Sequence, residues 1–350
     1  MTIYLFIYFL VIGSYIYQKK FLKNNRNIEL IFNFIVFFLW FVSAFRATHI
    51  GKDHFTYNGL FYGIGVTGDA YCEKGYVLLN RILYFIYDDP IILSIGVSTL
   101  LIFSYAYYIK HNVNYDYWIL AILIFVFQPY LYIQSTFNIL RQGCATAFIL
   151  LAIPNLIEKK ILKFFVLIAI ASLFHFSAVV FGIIFLLQKF NLNFKRIIFI
   201  AFISLVLNFV NAFSFLFAIL SRYQIYENYE ESLLNIKPYV LFIFCVTIYF
   251  ASRYNTLFHN EKEKMFVDIF LISLCLLIVF VQNDMLYRIY IIFAFISVPG
   301  ITIIFKNVLK NNSLLEAFLL GYYNLFYIGY TSRWYLNNDF SYYPFKFAFE

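Results

Sequence analysis

The sequence predicts an all-α polytopic membrane protein with about 10–12 transmembrane helices. Of its 350 residues, 63% are hydrophobic and only 13% are charged, whereas about 25% of the residues in an average soluble domain are charged. Apolar runs of about twenty residues, the length that crosses a hydrocarbon core of ~30 Å, recur along the whole chain. Because these runs leave no room for a separate soluble domain, we predict a single membrane domain that comprises residues 1–350.

The predicted helices correspond to twelve apolar segments of the sequence. They lie at residues 3–17, 28–45, 90–109, 117–134, 137–157, 161–174, 176–188, 196–219, 238–251, 265–283, 286–305 and 314–332. Several segments are shorter than a bilayer requires, which indicates tilted or re-entrant helices. We interpret the unbroken run 161–187 as a helical hairpin that breaks near His175, because a single helix would place the basic connector after it outside the cell.

The first connector sets the predicted orientation of the chain. It is basic and contains no acidic residue; its charged residues are Lys19, Lys20, Lys23 and Arg26. The positive-inside rule therefore places this connector in the cytoplasm and the N-terminus outside. The N-terminal apolar segment lacks the basic start and cleavage site of a signal peptide, so we expect it to be a retained helix.

The second connector, residues 46–89, is then a long extracytoplasmic loop with nearly balanced charge. Its Gly-rich part, Gly59–Gly75, is typical of an irregular loop. Tyr76–Tyr87 is apolar but too short to span a membrane, which favours an amphipathic helix along the interface. We therefore expect most of the polar chemistry of the chain on the outer side.

Composition also bears on the ligands that the chain can bind. The net charge of +8 does not indicate a nucleic-acid-binding protein, because Lys and Arg lie in short connectors rather than on one face of a module. The 32 tyrosines fit interface anchoring, with stacking on sugars as the alternative. The four cysteines lie far apart without a C-x-x-C pair, so we expect neither a metal site nor a disulfide framework. We also expect no cofactor.

Ionisable side chains inside apolar segments are the first functional candidates, since each costs several kcal/mol at membrane depth unless it is paired or faces water. The clearest are Arg141, His175 and Arg288. Gln142 and small residues follow Arg141, and a guanidinium suits bidentate binding of phosphate. The alternatives are a snorkelling Arg141, a hydrogen-bonded core histidine, and a helical salt bridge between Asp284 and Arg288.

Two segments at the ends of predicted helices add further candidates. The first, "FRATHIGKDHFTYNGLF", concentrates Arg46, Asp53 and Tyr57 with two histidines, and its carboxylate could act as a general base. It lacks the H-E-x-x-H and carboxylate-cluster patterns, so a metal is unsupported. The second contains Arg222 and Tyr223, which are either a ligand-binding pair or an interfacial anchor.

The ordered set of these outer-face motifs resembles the EpsG family of Wzy-type polysaccharide polymerases over about residues 1–300. In chain order, the motifs are Arg46 with Gly51-Lys52-Asp53 and Tyr57, Glu73-Lys74-Gly75-Tyr76, Arg141-Gln142-Gly143-Cys144-Ala145, Phe174-His175-Phe176-Ser177-Ala178, and Arg222-Tyr223.

The resemblance implies a GT-C-like bundle in the bacterial cytoplasmic membrane. Its substrate would be a polyprenyl-diphosphate-linked oligosaccharide at the outer leaflet, and its partners membrane lipid, a chain-length regulator and a ligase. The candidate bases, in order of preference, are Asp53, His175 and Glu73. The candidate diphosphate ligands are Arg46, Arg141, Arg288 and Arg222. The candidate sugar contacts are Tyr57, Gln142 and Tyr223.

Two other functions remain open from the sequence. A lipid-linked oligosaccharide flippase would predict an internal repeat with Gly- or Pro-broken helices, and the chain has only six prolines. A membrane acyltransferase that modifies glycans would use His175 as its base. Within the polymerase class, O antigen is favoured over capsule or exopolysaccharide on general frequency only, and retention versus inversion stays open.

Overall fold

The computed structural model describes residues 2–21, 24–128, 130–187, 192–212, 233–309, 313–337, 339 and 341–350. In these ranges the chain is helical without a β-sheet, and two residues, Arg46 and Phe347, form an isolated β-bridge. The prediction of an all-α polytopic membrane protein is confirmed.

The helices in the described residues are numbered in chain order. They are α1 (Thr2–Phe21), α2 (Asn25–Ala44), α3 (His54–Thr67), α4 (Lys74–Ile86), α5 (Ile91–Asn112), α6 (Trp118–Phe127), α7 (Ile133–Phe137), α8 (Leu140–Ile157), α9 (Ile161–Ser172), α10 (Ile184–Leu187), α11 (Phe194–Phe209), α12 (Leu233–Ser252), α13 (Glu261–Phe280), α14 (Asp284–Ile304) and α15 (Ser313–Leu336). Segments of 3₁₀-helix lie at Tyr115–Tyr117, Phe176–Ile183 and Tyr254–Thr256.

Four of the described helices are long and apolar enough to cross a membrane. They are Asn25–Ala44, Ile91–Asn112, Leu140–Ile157 and Leu286–Val308. These lengths fit the 17–25 residues that a transmembrane helix needs. The chain is therefore a membrane protein, whereas the total of 10–12 spans and the orientation in the membrane stay predictions.

The run 161–187 is broken, as the hairpin interpretation predicts. α9 ends at Ser172, and the 3₁₀-helix that begins at Phe176 packs back against it. The 12 residues of α9 rise about 18 Å, which is too short to cross a core of ~30 Å. The two arms therefore fit the re-entrant alternative, with His175 at the tip of the hairpin.

The outer loop contains more helix than the sequence analysis predicts. Gly59–Gly75 was expected to be irregular, but α3 extends to Thr67, so the prediction is wrong for residues 59–67 and holds only for 68–73, between α3 and α4. Tyr57, Phe61 and Ile64 are buried at helical spacing, and this apolar face outweighs the helix-weakening effect of the glycines. Gly68 then ends α3 in the left-handed conformation. The predicted helix at 76–87 is confirmed as α4.

The described residues form two compact units. The first comprises Met1–Ile184 and Ser313–Glu350, and the second Phe185–Asn312. The prediction of one membrane domain stays a prediction. In the second unit, α13 packs along α14, and Asn208 of α11 donates a 2.7 Å hydrogen bond to the carbonyl of Ile278.

In the first unit, α3, α4, α5 and α8 enclose an apolar core. This core is formed by Tyr57, Phe61, Tyr76, Leu83, Leu93, Val97, Leu140 and Cys144. Its buried aliphatic and aromatic side chains stabilise the packing of α3 and α4 on the longer helices α5 and α8. This packing fixes the first turns of α3, α4 and α8, where the polar side chains of the candidate site lie.

Candidate functional site

Three ionisable side chains from distant parts of the sequence meet in the first unit. Glu73 directly precedes α4, Arg141 lies in the first turn of α8, and His175 lies at the tip of the hairpin. Arg141 Nη1 is 2.7 Å from Glu73 Oε2, and His175 Nδ1 is 3.2 Å from Glu73 Oε1. The carboxylate therefore uses one oxygen for each partner. We call these three residues the Glu73 cluster.

The close approach of α4 to the hairpin tip creates the Glu73 cluster. The amide of Gly75 donates a 2.8 Å hydrogen bond to the carbonyl of Leu173, two residues before His175. A Cβ atom at Gly75 would lie 2.8 Å from both the Cβ and the carbonyl oxygen of Leu173. Glycine therefore lets the backbones of α4 and the hairpin tip touch, which brings the carboxylate within reach of the imidazole.

Replacing Gly75 by alanine tests this contact. We expect Gly75→Ala to push the hairpin tip away from α4, to lower stability by about 1–3 kcal/mol through overpacking, and to lower activity. Gly63→Ala in α3 is the matched control, because no atom lies within 4 Å of a Cβ there. Thermal unfolding in detergent compares the two variants, and equal effects would contradict the role assigned to the Gly75 contact.

Glu73 is an ionised partner rather than a titrating base. Partial burial raises the pKa of its carboxyl, but the hydrogen bond from His175, its own backbone amide, and the charge and hydrogen bond of Arg141 together lower the pKa from 4.5 to about 2. The side chain is 20% exposed. At any neutral or mildly acidic pH, the carboxylate is charged and accepts hydrogen bonds from both neighbours.

This pKa shift predicts a pH-dependent contribution to stability. Because the pKa of Glu73 is lower in the folded than in the unfolded protein, ionised Glu73 stabilises the fold above about pH 4.5 and loses this effect as the pH falls toward 2. We expect the stability difference between the wild type and Glu73→Gln to be constant from pH 7 to about pH 5 and to shrink below it. Thermal unfolding at each pH measures this difference, and a difference that grows toward low pH would contradict it.

Tyr57 connects the Glu73 cluster to the start of α3. Its hydroxyl is hydrogen-bonded to the Arg141 side chain. Burial raises the pKa of Tyr57, Arg141 lowers it, and the carboxylate of Asp53 raises it. Asp53 therefore lies within electrostatic range of Tyr57, one turn before it in the chain, and its side chain does not cap α3.

Arg46 lies in a different environment from Arg141. It is 3% exposed, stacks on the Phe137 ring at 4.9 Å, and donates hydrogen bonds to the carbonyls of Ser43 and Ile50. It also lines a small cleft together with His54 and Tyr57. The structure thus places Arg46 and Tyr57 on one cleft, whereas a role of Arg46 in diphosphate binding stays a prediction.

Four other predicted site residues remain, namely Gln142, Arg288, Arg222 and Tyr223. Gln142 is 3% exposed and lies inside the packing of α8, so it offers little surface to a sugar. Arg288 is exposed on α14 in the second unit. Arg222 and Tyr223 lie outside the described residues. The roles assigned to these four residues stay predictions.

Sequence reasoning missed two polar residues that support the start of α3. Asn138 is buried between α7 and α8, and Tyr342 is buried after α15. A polar residue at the start of the predicted helix 137–157 was a signal for Asn138, but no pattern indicated Tyr342. Among the residues that the structure describes, no three His, Cys, Asp or Glu side chains are grouped to hold a metal ion.

Comparison with known proteins assigns the chain to a family. The EpsG family model matches residues 29–347, and no curated protein and no solved structure gives a significant match. The match covers every described residue of the Glu73 cluster and its surroundings, and it agrees with the resemblance of the motifs. This chain therefore belongs to the EpsG family, whose members are Wzy-like polymerases.

Proposed function

We propose that this protein is a polysaccharide repeat-unit polymerase that uses polyprenyl-diphosphate-linked oligosaccharides at the outer face of the bacterial cytoplasmic membrane. The observation that carries the proposal is the Glu73 cluster, in which an arginine, a carboxylate and a histidine meet in a chain of the EpsG family. The localisation and the substrate are inferred from the family and from the predicted orientation.

The reaction needs a cation for the leaving group and a base for the acceptor. A hydroxyl oxygen of the acceptor sugar attacks the anomeric carbon at the reducing end of the growing glycan, and the bond from this carbon to the diphosphate oxygen breaks. The diphosphate leaves with the bonding electron pair, and the hydroxyl proton passes to the base. A positioned arginine stabilises the developing negative charge on the diphosphate.

Arg141 is the best-placed cation for this purpose. Its side chain is 33% exposed, so a ligand can reach it. Glu73 accepts a hydrogen bond from Nη1, and Tyr57 is hydrogen-bonded to the same side chain. A diphosphate oxygen is an acceptor that suits the accessible part of a guanidinium.

The geometry favours His175 over Asp53 and Glu73 as the base. Glu73 accepts a hydrogen bond from Nδ1–H of His175, which leaves Nε2 as the acceptor for a substrate proton. A carboxylate that orients a histidine through Nδ1 is a recurring arrangement in catalytic sites. Glu73 itself is held by two donors, and its low pKa makes it a weak base. Asp53 is the second choice. Its carboxylate lies within electrostatic range of Tyr57 but takes no part in the hydrogen bonds of the Glu73 cluster.

Deletion of the gene in its host tests the proposed function. We expect the surface glycan to collapse from a ladder to a single repeat unit on a gel, and the wild-type gene to restore the ladder. An intact ladder in the deletion strain would contradict the proposed polymerase function. Loss of even the single repeat would indicate a flippase, because unlinked repeats then fail to reach the outer leaflet. A ladder of unchanged length with altered acylation would indicate an acyltransferase.

A further inference from the structure

The C-terminal segment of the chain packs against the turn that carries Asp53. We call residues 341–348 the C-terminal segment and residues 46–53 the Asp53 turn. The Gly51 amide donates a 2.7 Å hydrogen bond to the Ser341 carbonyl, and the Ala47 amide donates a 2.9 Å hydrogen bond to the Lys346 carbonyl. In the opposite direction, the amide of Ala348 donates to the carbonyl of Phe45. Backbone hydrogen bonds thus join the two segments at several points, although almost 300 residues separate them in sequence.

One buried side chain joins the two segments to the helical bundle. Asn138 is 3% exposed, and its Oδ1 accepts a 2.7 Å hydrogen bond from the Lys52 amide, next to Asp53. Its Nδ2 donates to the hydroxyl of Tyr342 and to Oε1 of Gln134. A buried amide with its donor and acceptor both used fixes the groups around it in one arrangement.

The conformation of Gly51 lets the Asp53 turn pack closely against the end of α7, next to Asn138. Gly51 has a φ of +118°, and a Cβ atom there would collide with the carbonyl oxygen of Phe137. Only glycine adopts such a backbone conformation without strain. The carbonyl of Gly51 is 2.7 Å from Nδ1 of His54, in the first turn of α3. The turn is therefore held from both sides, directly before the carboxylate of Asp53.

Tyr342 is anchored independently of its hydroxyl. Its ring is completely buried and stacks on Trp334 with centroids 4.1 Å apart. Burial raises the pKa of Tyr342, the hydrogen bond from Asn138 lowers it, and the charges of Asp339 and Asp53 raise it. The hydroxyl of Tyr342 therefore lies within electrostatic range of the Asp53 carboxylate.

We propose that Asn138 and Tyr342 are positioning residues that hold the Asp53 turn, so that the C-terminal segment completes the acceptor side of the site. This inference rests on the proposed polymerase function, because it assigns Asp53 and the cleft of Arg46, His54 and Tyr57 to the acceptor sugar. In this assignment, the C-terminal segment acts through the Asp53 turn and not through the Glu73 cluster.

Hydrogen exchange tests the contact without reference to activity. Tyr342→Phe removes the hydroxyl that accepts from Asn138 but keeps the ring on Trp334, and Asn138→Leu removes the acceptor for the Lys52 amide. We expect the amides of Gly51 and Lys52 to exchange about 3- to 10-fold faster in both variants. Tyr343→Phe is the matched control, since its ring contacts Tyr335, and its exchange should equal that of the wild type.

Kinetics on the same full-length variants test the positioning role. With purified protein and a lipid-linked repeat unit, we expect kcat to fall about tenfold in Tyr342→Phe with the KM for the diphosphate donor unchanged. Unchanged exchange in both variants would show that Asn138 and Tyr342 do not hold the Asp53 turn. Faster exchange with an unchanged kcat would contradict their role as positioning residues. A wild-type protein that forms no polymer would instead overturn the proposed function, which separates the two failures.

Discussion

Arg141→Ala should reduce polymer formation about 10²–10³-fold, the loss seen when one preorganised donor to a developing negative charge is removed. The guanidinium is the exposed cation of the Glu73 cluster, and its removal also leaves the Glu73 carboxylate without its 2.7 Å partner. The measurement is the length of the surface glycan in the complemented deletion strain, together with turnover of a labelled lipid-linked repeat by purified protein. We expect Arg141→Lys to recover little, because a point charge does not reproduce the bidentate geometry.

Two controls separate loss of chemistry from loss of folding in the Arg141 variants. Arg81→Ala removes an exposed arginine of α4 that lies outside the cluster, and it should give a normal ladder. The double variant Arg141→Ala/Glu73→Gln removes the unpaired charge, so it should recover protein level without recovering polymer. A double variant that regains the ladder would show that Arg141 acts only by neutralising Glu73.

His175→Asn should lower kcat about 10²–10⁴-fold, the range contributed by a general base, while the KM for the donor stays unchanged. Asparagine retains a donor that can reach Glu73 Oε1, so the hairpin tip keeps its contact, but it offers no imidazole Nε2. Turnover of the purified enzyme at saturating donor measures this effect. His49→Asn replaces an exposed histidine that lies outside the Glu73 cluster and should leave kcat unchanged.

A comparison of His175→Asn with Asp53→Asn assigns the base. If His175 is the base and Asp53 contributes to acceptor binding, Asp53→Asn should raise the KM for the acceptor and lower kcat by less than His175→Asn. If Asp53→Asn has the larger effect on kcat, the base assignment moves to Asp53, as the sequence alone favoured. Equal and small effects of both variants would contradict general-base catalysis by either residue.

Much of the fold could be predicted because a long apolar run indicates a transmembrane helix whether its side chains face lipid or other helices. The ends of α2 and α5 lie within a few residues of the predicted segments, and the break before Phe176 follows from the charge of the connectors. The helix α3 could not be predicted from its glycines, because its stability depends on burial of Tyr57 and Phe61 in the apolar core that α3 shares with α4, α5 and α8. Tertiary packing therefore determines that this segment is helical, because its local helix propensity is ambiguous.

The candidate site was predicted as a set of residues but not as an arrangement. Arg141 and His175 stand out as ionisable residues in apolar segments, and Glu73 was a candidate through its motif, yet 68 and 102 residues separate Glu73 from its two partners. Nothing in the spacing shows that one carboxylate bridges both. Tyr342 could not be predicted for the same reason, because its role depends on a hydrogen bond from Asn138, which lies 204 residues earlier in the chain.

The shortness of the hairpin arms has a consequence for biogenesis. A segment of 12 residues such as α9 is a weak signal for the translocon, and its tip carries an imidazole that is unfavourable in lipid. We therefore expect the arms to insert as a pair, after α4 and α8 are available to receive the tip at Gly75 and Glu73. Assembly of the site is then a late step in folding, so a chain that fails at this step is still exposed to membrane proteases before it can act on any substrate.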